Sequence, residues 1–95
     1  MKGRNPTAAE KRHMSAVRQI GCIACLNNGI ETPPDYTLIH HIDGKTKPNA
    51  HFKVLPLCDP HHSRYTRTGL HYNRVEWEAE NGTQAELLQQ VEAML

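Results

Sequence analysis

An α+β fold is expected for this chain, and three observations predict it. Two short β-prone runs, Tyr36–Ile42 and Phe52–Leu57, are followed by a helix-start signal at Asp59-Pro60. Capping-box patterns beginning at Thr7, Asn73 and Thr83 place helices on both sides of that strand–loop–strand–helix unit. Finally, Cys22-x2-Cys25 and Cys58-x2-His61 form two pairs with the spacing of a four-ligand, zinc-ribbon-like structural site. Ninety-five residues, of which 38% are hydrophobic and only one is Trp and one Phe, suffice for one domain (1–95) with a thin core. Such a core usually borrows stability from a metal or a disulfide.

Taken in order, Thr7 is the expected N-cap of a helix over about Ala8–Arg18, with Glu10 reaching back to the Thr7 amide and Met14 and Val17 on one side. Gly21 stops it and leads into a turn over Cys22–Cys25. Leu26–Asp35, with Asn27-Asn28-Gly29 and Pro33-Pro34, reads as a loop before the first strand. The polar loop Asp43–Asn49 carries Lys45 and Lys47, and the second strand is expected to lose regular pairing at Pro56. A helix from Asp59 to roughly Arg67 completes a compact ββα core over about 37–67. Two helices fill about 74–94. The first starts after Asn73, runs through Trp77 and stops at Asn81-Gly82; the second starts after Thr83 with Leu87, Leu88, Val91 and Leu95 as its buried stripe.

The net charge of +1 hides an asymmetry: residues 1–74 hold all eleven Lys and Arg against five acids, whereas residues 75–95 hold five Glu and no Lys or Arg. The part containing the Cys/His cluster is basic, as a phosphate-backbone binder should be, and the acidic tail reads as a solvated helical face. Three cysteines cannot all pair internally, the start lacks an apolar leader, and no stretch is apolar enough to span a membrane. A cytoplasmic protein with reduced, zinc-bound cysteines is the expectation.

Either His61 or His62 can complete the zinc set with Cys22, Cys25 and Cys58. His61 stands where the second cysteine of a C-x2-C would be and takes the assignment. Subtracting those four leaves His40, His41, His51, His62 and His71 in a short span. The simplest account is a second, catalytic metal centre. Lone His13 gets no role; Asp43 reads as a turn residue and Asp59 as a helix-start residue. Histidine titrates near neutrality and suits proton transfer, and a divalent ion held by a few imidazoles keeps positions open for a phosphate oxygen and water. Nitrogen ligation favours Mn²⁺, Ni²⁺ or Co²⁺ over Mg²⁺, which can still work. Lys45, Lys47, Lys53, Arg64 and Arg67 are candidates for contacts with a nucleic-acid backbone.

With Ile39-His40-His41-Ile42, Val54-Leu55-Pro56-Leu57-Cys58 and Cys58-x2-His61-His62, the chain resembles the HNH (ββα-metal, or His-Me finger) endonucleases of the zinc-ribbon type. Gly69-Leu70-His71 and Trp77-Glu78 are also similar to the phage recombination-enhancement HNH nucleases. The resemblance implies that His41 is the general base, that His40 and His62 ligate a catalytic divalent metal, and that His51 (or Asn49) takes the middle position that orients the base. His71 would complete the metal shell or touch a phosphate. The implied activity is hydrolysis of DNA, nicking one strand per encounter if the protein is a monomer. Two alternatives stand beside it: a non-catalytic zinc-ribbon DNA-binding module, and a phage accessory nuclease that works only on a recombinase filament.

Overall fold

The computed structural model describes residues 5–44, 47 and 49–95; Lys45, one of the candidate DNA contacts, lies outside them. Its element order is α1 (Ala8–Ile20), α2 (Ile23–Asn27), β1 (Thr37–His41), β2 (Val54–Cys58), α3 (Asp59–His62), α4 (Arg74–Asn81) and α5 (Gln84–Ala93), an α+β arrangement around a two-stranded antiparallel sheet. Among the described residues no helix is long and apolar enough to cross a membrane.

Helix α1 opens with the reciprocal capping box expected at Thr7 and Glu10 and ends at Gly21, whose φ of +83° suits a residue without a Cβ. Helix α1 packs on both strands through Val17, which is wholly buried. The Cys22–Cys25 segment is more regular than a turn: Cys22 caps α2, its Sγ accepting the Cys25 amide at 3.4 Å. Every residue of β2 is buried, covered by α1, α2 and α5. Helices α4 and α5 complete the core with Trp77, Leu87 and Val91, whereas Leu95 lies past the end of α5 and is exposed rather than part of its stripe.

Two further expectations need correction. Pro56 does not end the pairing: it sits inside β2 opposite Ile39. The Ile42 amide donates to Lys53 O, which makes even-numbered β1 residues the hydrogen-bonded ones and leaves Ile39–Pro56 a pair that needs no ladder bond. The proline's missing N–H therefore costs nothing there. The helix after β2 does not reach Arg67; it is a single turn ending at His62, because Ser63 leaves the helical region at ψ 150°. The chain then doubles back. Gly69 packs on the Ser63 backbone so closely that an added Cβ would meet Ser63 O at 1.8 Å, and buried Leu70 donates its amide to His61 O at 2.8 Å. No apolar stripe over Ser63–Thr68 rewards continuing the helix.

Candidate metal centres and active site

Three elements converge on the first cluster. Cys22 and Cys25 come from the start of α2, Cys58 ends β2, and His61 lies on α3 three residues later. Their sulfur and nitrogen atoms lie within 4.8 Å of one another. Cys25 Sγ is 3.7 Å from Cys58 Sγ, too far for a disulfide. His61 Nδ1 lies 3.5, 3.4 and 3.0 Å from the sulfurs of Cys22, Cys25 and Cys58. A zinc tetrahedron with Zn–S near 2.3 Å and Zn–N near 2.05 Å has edges of roughly 3.8 Å (S···S) and 3.6 Å (S···N). The donor set fits that ion, with His61 rather than His62 as its fourth member.

Burial pushes the Cys58 thiol up to about 12 and raises Cys22 as well, while it lowers His61. A dication among them offsets that desolvation by making thiolates the stable form, and the uncharged imidazole already offers its lone pair.

The second cluster shares α3 but faces elsewhere. His40 of β1, His62 of α3 and His71 of the following loop form a group of three potential ligands within 4.8 Å. His62 Nε2 and His71 Nε2 are 3.2 Å apart; an ion about 2.1 Å from both nitrogens would set an edge of roughly 3.0–3.4 Å. Burial carries His40 down to about 4, against the opposing pull of its hydrogen bond to Gln84, so its ring is uncharged at neutral pH. Burial, and after it His71, also lowers His62.

His41, next to His40 on the strand, points to the other face of the sheet and meets a different partner: its Nε2 lies 3.0 Å from Nδ1 of buried His51. His51 is held by a 3₁₀ turn over Ala50–Phe52, while Asn49 begins that turn in the left-handed conformation. The five histidines are thus divided into a group of three and a pair. A cleft of about 390 Å³ joins the two sets, lined by His40, His41 and His71 together with Gly44, Arg74 and Gln84. A second groove, of about 520 Å³, is lined by Ile20, Leu26, Pro33, Pro34 and Met94 with Glu31 the titratable group in its wall, and contains none of these histidines.

Two residues of this site carry no sequence signal. Gln84, the first residue of α5, places Oε1 2.8 Å from His40 Nε2 and is itself buried. With the imidazole proton on Nε2, the Gln84 oxygen accepts it and Nδ1 is the atom of His40 left to ligate. The Gln84 backbone amide donates in turn to Glu78 Oε2 at 2.9 Å. Arg74, at the start of α4, brings a guanidinium to the cleft wall and lies 3.7 Å from Glu78. Of the expected backbone contacts, Lys47, Arg64 and Arg67 are exposed, and Lys53 lies 3.9 Å from Asp43, the predicted turn residue. His13 packs edge-on against Phe52.

Compared with known protein families, residues 6–95 match the family model described as recombination enhancement, RecA-dependent nuclease.

Proposed function

The chain belongs to the recombination enhancement, RecA-dependent nuclease family, and from that premise we propose that it is a metal-dependent DNA endonuclease of the HNH type, with a ββα core formed by β1, β2 and α3. The observation that carries the reading is the division of the histidines: a ligand group of His40, His62 and His71 beside a separate His41–His51 pair, both opening on one cleft. Phosphodiester hydrolysis needs a base for water and positive charge on the scissile phosphate, and the two sets supply those roles separately.

In this mechanism His51 orients the base. When His41 donates its Nε2–H to His51 Nδ1, the lone pair lies on His41 Nδ1, which accepts the proton of the attacking water. Oxygen then bonds to phosphorus as the bond from phosphorus to the leaving sugar oxygen breaks, and that oxygen takes up a proton from solvent water. His40, His62 and His71 would hold a divalent ion (Mn²⁺, Mg²⁺ or Ni²⁺), which would supply positive charge for the phosphate and the leaving oxygen. Arg74 adds a fixed cation at the cleft wall, and Arg64, Arg67 and Lys47 extend positive charge along the backbone path. Cys22, Cys25, Cys58 and His61 would hold a structural zinc, which would tie α2, β2 and α3 together. One such site cuts one strand per encounter, so a monomer nicks.

Supercoiled plasmid incubated with Mn²⁺, Mg²⁺ or no added metal, with and without a RecA filament, tests the proposal. Open-circle product that requires the metal and vanishes in His41→Ala of unchanged zinc content is expected. Intact plasmid in every arm, with DNA binding retained, would favour a binding module instead.

A further inference from the structure

Between His62 and His71 the chain makes a loop that the chemistry above uses only for charge. Its neck is closed by the Leu70 amide on His61 O at 2.8 Å, by Thr68 Oγ1 donating to Pro60 O at 3.1 Å, and by Gly69 on the Ser63 backbone. Within it, Gly69 donates to Thr66 O at 2.8 Å and Tyr65 donates its amide to Ser63 Oγ at 2.9 Å. Residues Arg64–Thr68 are all exposed on this internally bonded frame, and Tyr65 is 86% exposed, more than Tyr36 at 73% or Val75 at 77%. An aromatic ring this exposed contributes nothing to the core.

The surroundings say what it faces. The stretch Ser63–Val75 contains Arg64, Arg67 and Arg74, adds Tyr65 and Tyr72, and has no Asp or Glu. Tyr72 is half exposed. Arginines carry phosphate contacts, and a flat ring between two of them is suited to a nucleobase face, which a base paired and stacked inside a duplex does not offer. Both ends of the loop are candidate metal ligands, so the loop adjoins the His40–His62–His71 group.

Resting on the nuclease reading, we propose that this loop is a base-stacking contact: Tyr65 lays its ring on an unstacked nucleobase while Arg64 and Arg67 hold the neighbouring phosphates.

The test is equilibrium binding of the full chain to a fluorescent single strand, to its duplex, and to the same strand with abasic positions. No divalent metal is added, so nothing is cut. The wild type is expected to bind the intact strand about 5- to 150-fold more tightly than the abasic one, the range set by one stacked base. Tyr65→Ala should lose a similar factor on the intact strand and nothing more on the abasic strand. Tyr65→Phe should retain affinity and Tyr65→Leu should not. Wild-type affinity in Tyr65→Ala, a loss that persists in full on abasic DNA, or failure of the wild type to bind either strand would each overturn the proposal. Because cleavage is not read, a protein that binds in this pattern yet never cuts plasmid with metal and RecA would overturn the nuclease reading alone.

Discussion

The cluster of Cys22, Cys25, Cys58 and His61 is a complete set of four donors, whereas the group of His40, His62 and His71 meets a cleft through His40 and His71, although His61 and His62 are neighbours on one turn of helix. Four donors at tetrahedral spacing fill a zinc ion's coordination and leave no position for a reactant. Three imidazoles, one of them on an exposed residue, leave positions that water or phosphate can take. The same residue types thus build a complete set of four donors in one place and an incomplete set of three in the other. What separates them is whether the surrounding chain closes over the fourth position or leaves it open to a cleft carrying Arg74.

Removing one ligand from each cluster should break the comparison most visibly. Cys58→Ser is expected to cost the fold itself. Structural zinc is worth on the order of 10–16 kcal/mol in small metal-bound domains, as much as the whole stability of most domains. Loss of the cooperative thermal transition, together with loss of zinc, is the readout. His71→Ala should keep both, with stability changed by about 0.5 kcal/mol or less because the residue is exposed. If His71→Ala also unfolds the chain, the division between structural and reactive centres is wrong.

Within the open site, His41→Ala should reduce metal-dependent cleavage about 10²- to 10⁴-fold without changing zinc content or the affinity of the His40–His62–His71 group for Mn²⁺. His62→Ala should instead lose that affinity. Gln84→Ala is the sharper case, since it removes no ligand. Losing the acceptor on His40 Nε2 should weaken Mn²⁺ binding about 10- to 100-fold, read by electron paramagnetic resonance titration, with the zinc cluster untouched. Gln84→Glu keeps an acceptor and should retain most of the affinity. Equal Mn²⁺ binding in Gln84→Ala would mean that His40 ligates through the other nitrogen or not at all.

Local rules made the Cys/His pairs, the capping boxes at Thr7 and Thr83 and the two strands legible, because each depends on residues within about four positions of one another. His51 could be named beside His41 because both lie around the same short loop. Gln84 and Arg74 could not. They reach the cleft from helices whose placement depends on Trp77, Leu87 and Val91 packing into the core, and no spacing motif connects Gln84 to His40, forty-four positions earlier. The overlong α3 failed for the opposite reason: Asp59-Pro60 marks a helix start, but the stop comes from Gly69 returning to Ser63, a contact invisible in the local pattern.

The smallest expected effect comes from the cap that aims Gln84. Thr83 accepts the Glu86 amide at 3.1 Å, and Glu86 accepts the Thr83 amide at 2.9 Å, fixing the first turn of α5. Those bonds from Thr83 hold the Glu86 carboxyl below its ordinary value. The folded chain therefore binds fewer protons there than the unfolded chain. The contribution is complete above the usual carboxylate range and is lost as pH falls through it toward the lower folded value. Thr83→Ala should cost about 1 kcal/mol at neutral pH and less in acid. Because Gln84 follows Thr83 directly, the loss of order should reach the open centre and stop there. A modest weakening of Mn²⁺ binding with unchanged zinc affinity is the expected pattern in titrations of the two metals. A matching loss of zinc would mean that α5 supports the whole fold, so that the two centres are not separable through it.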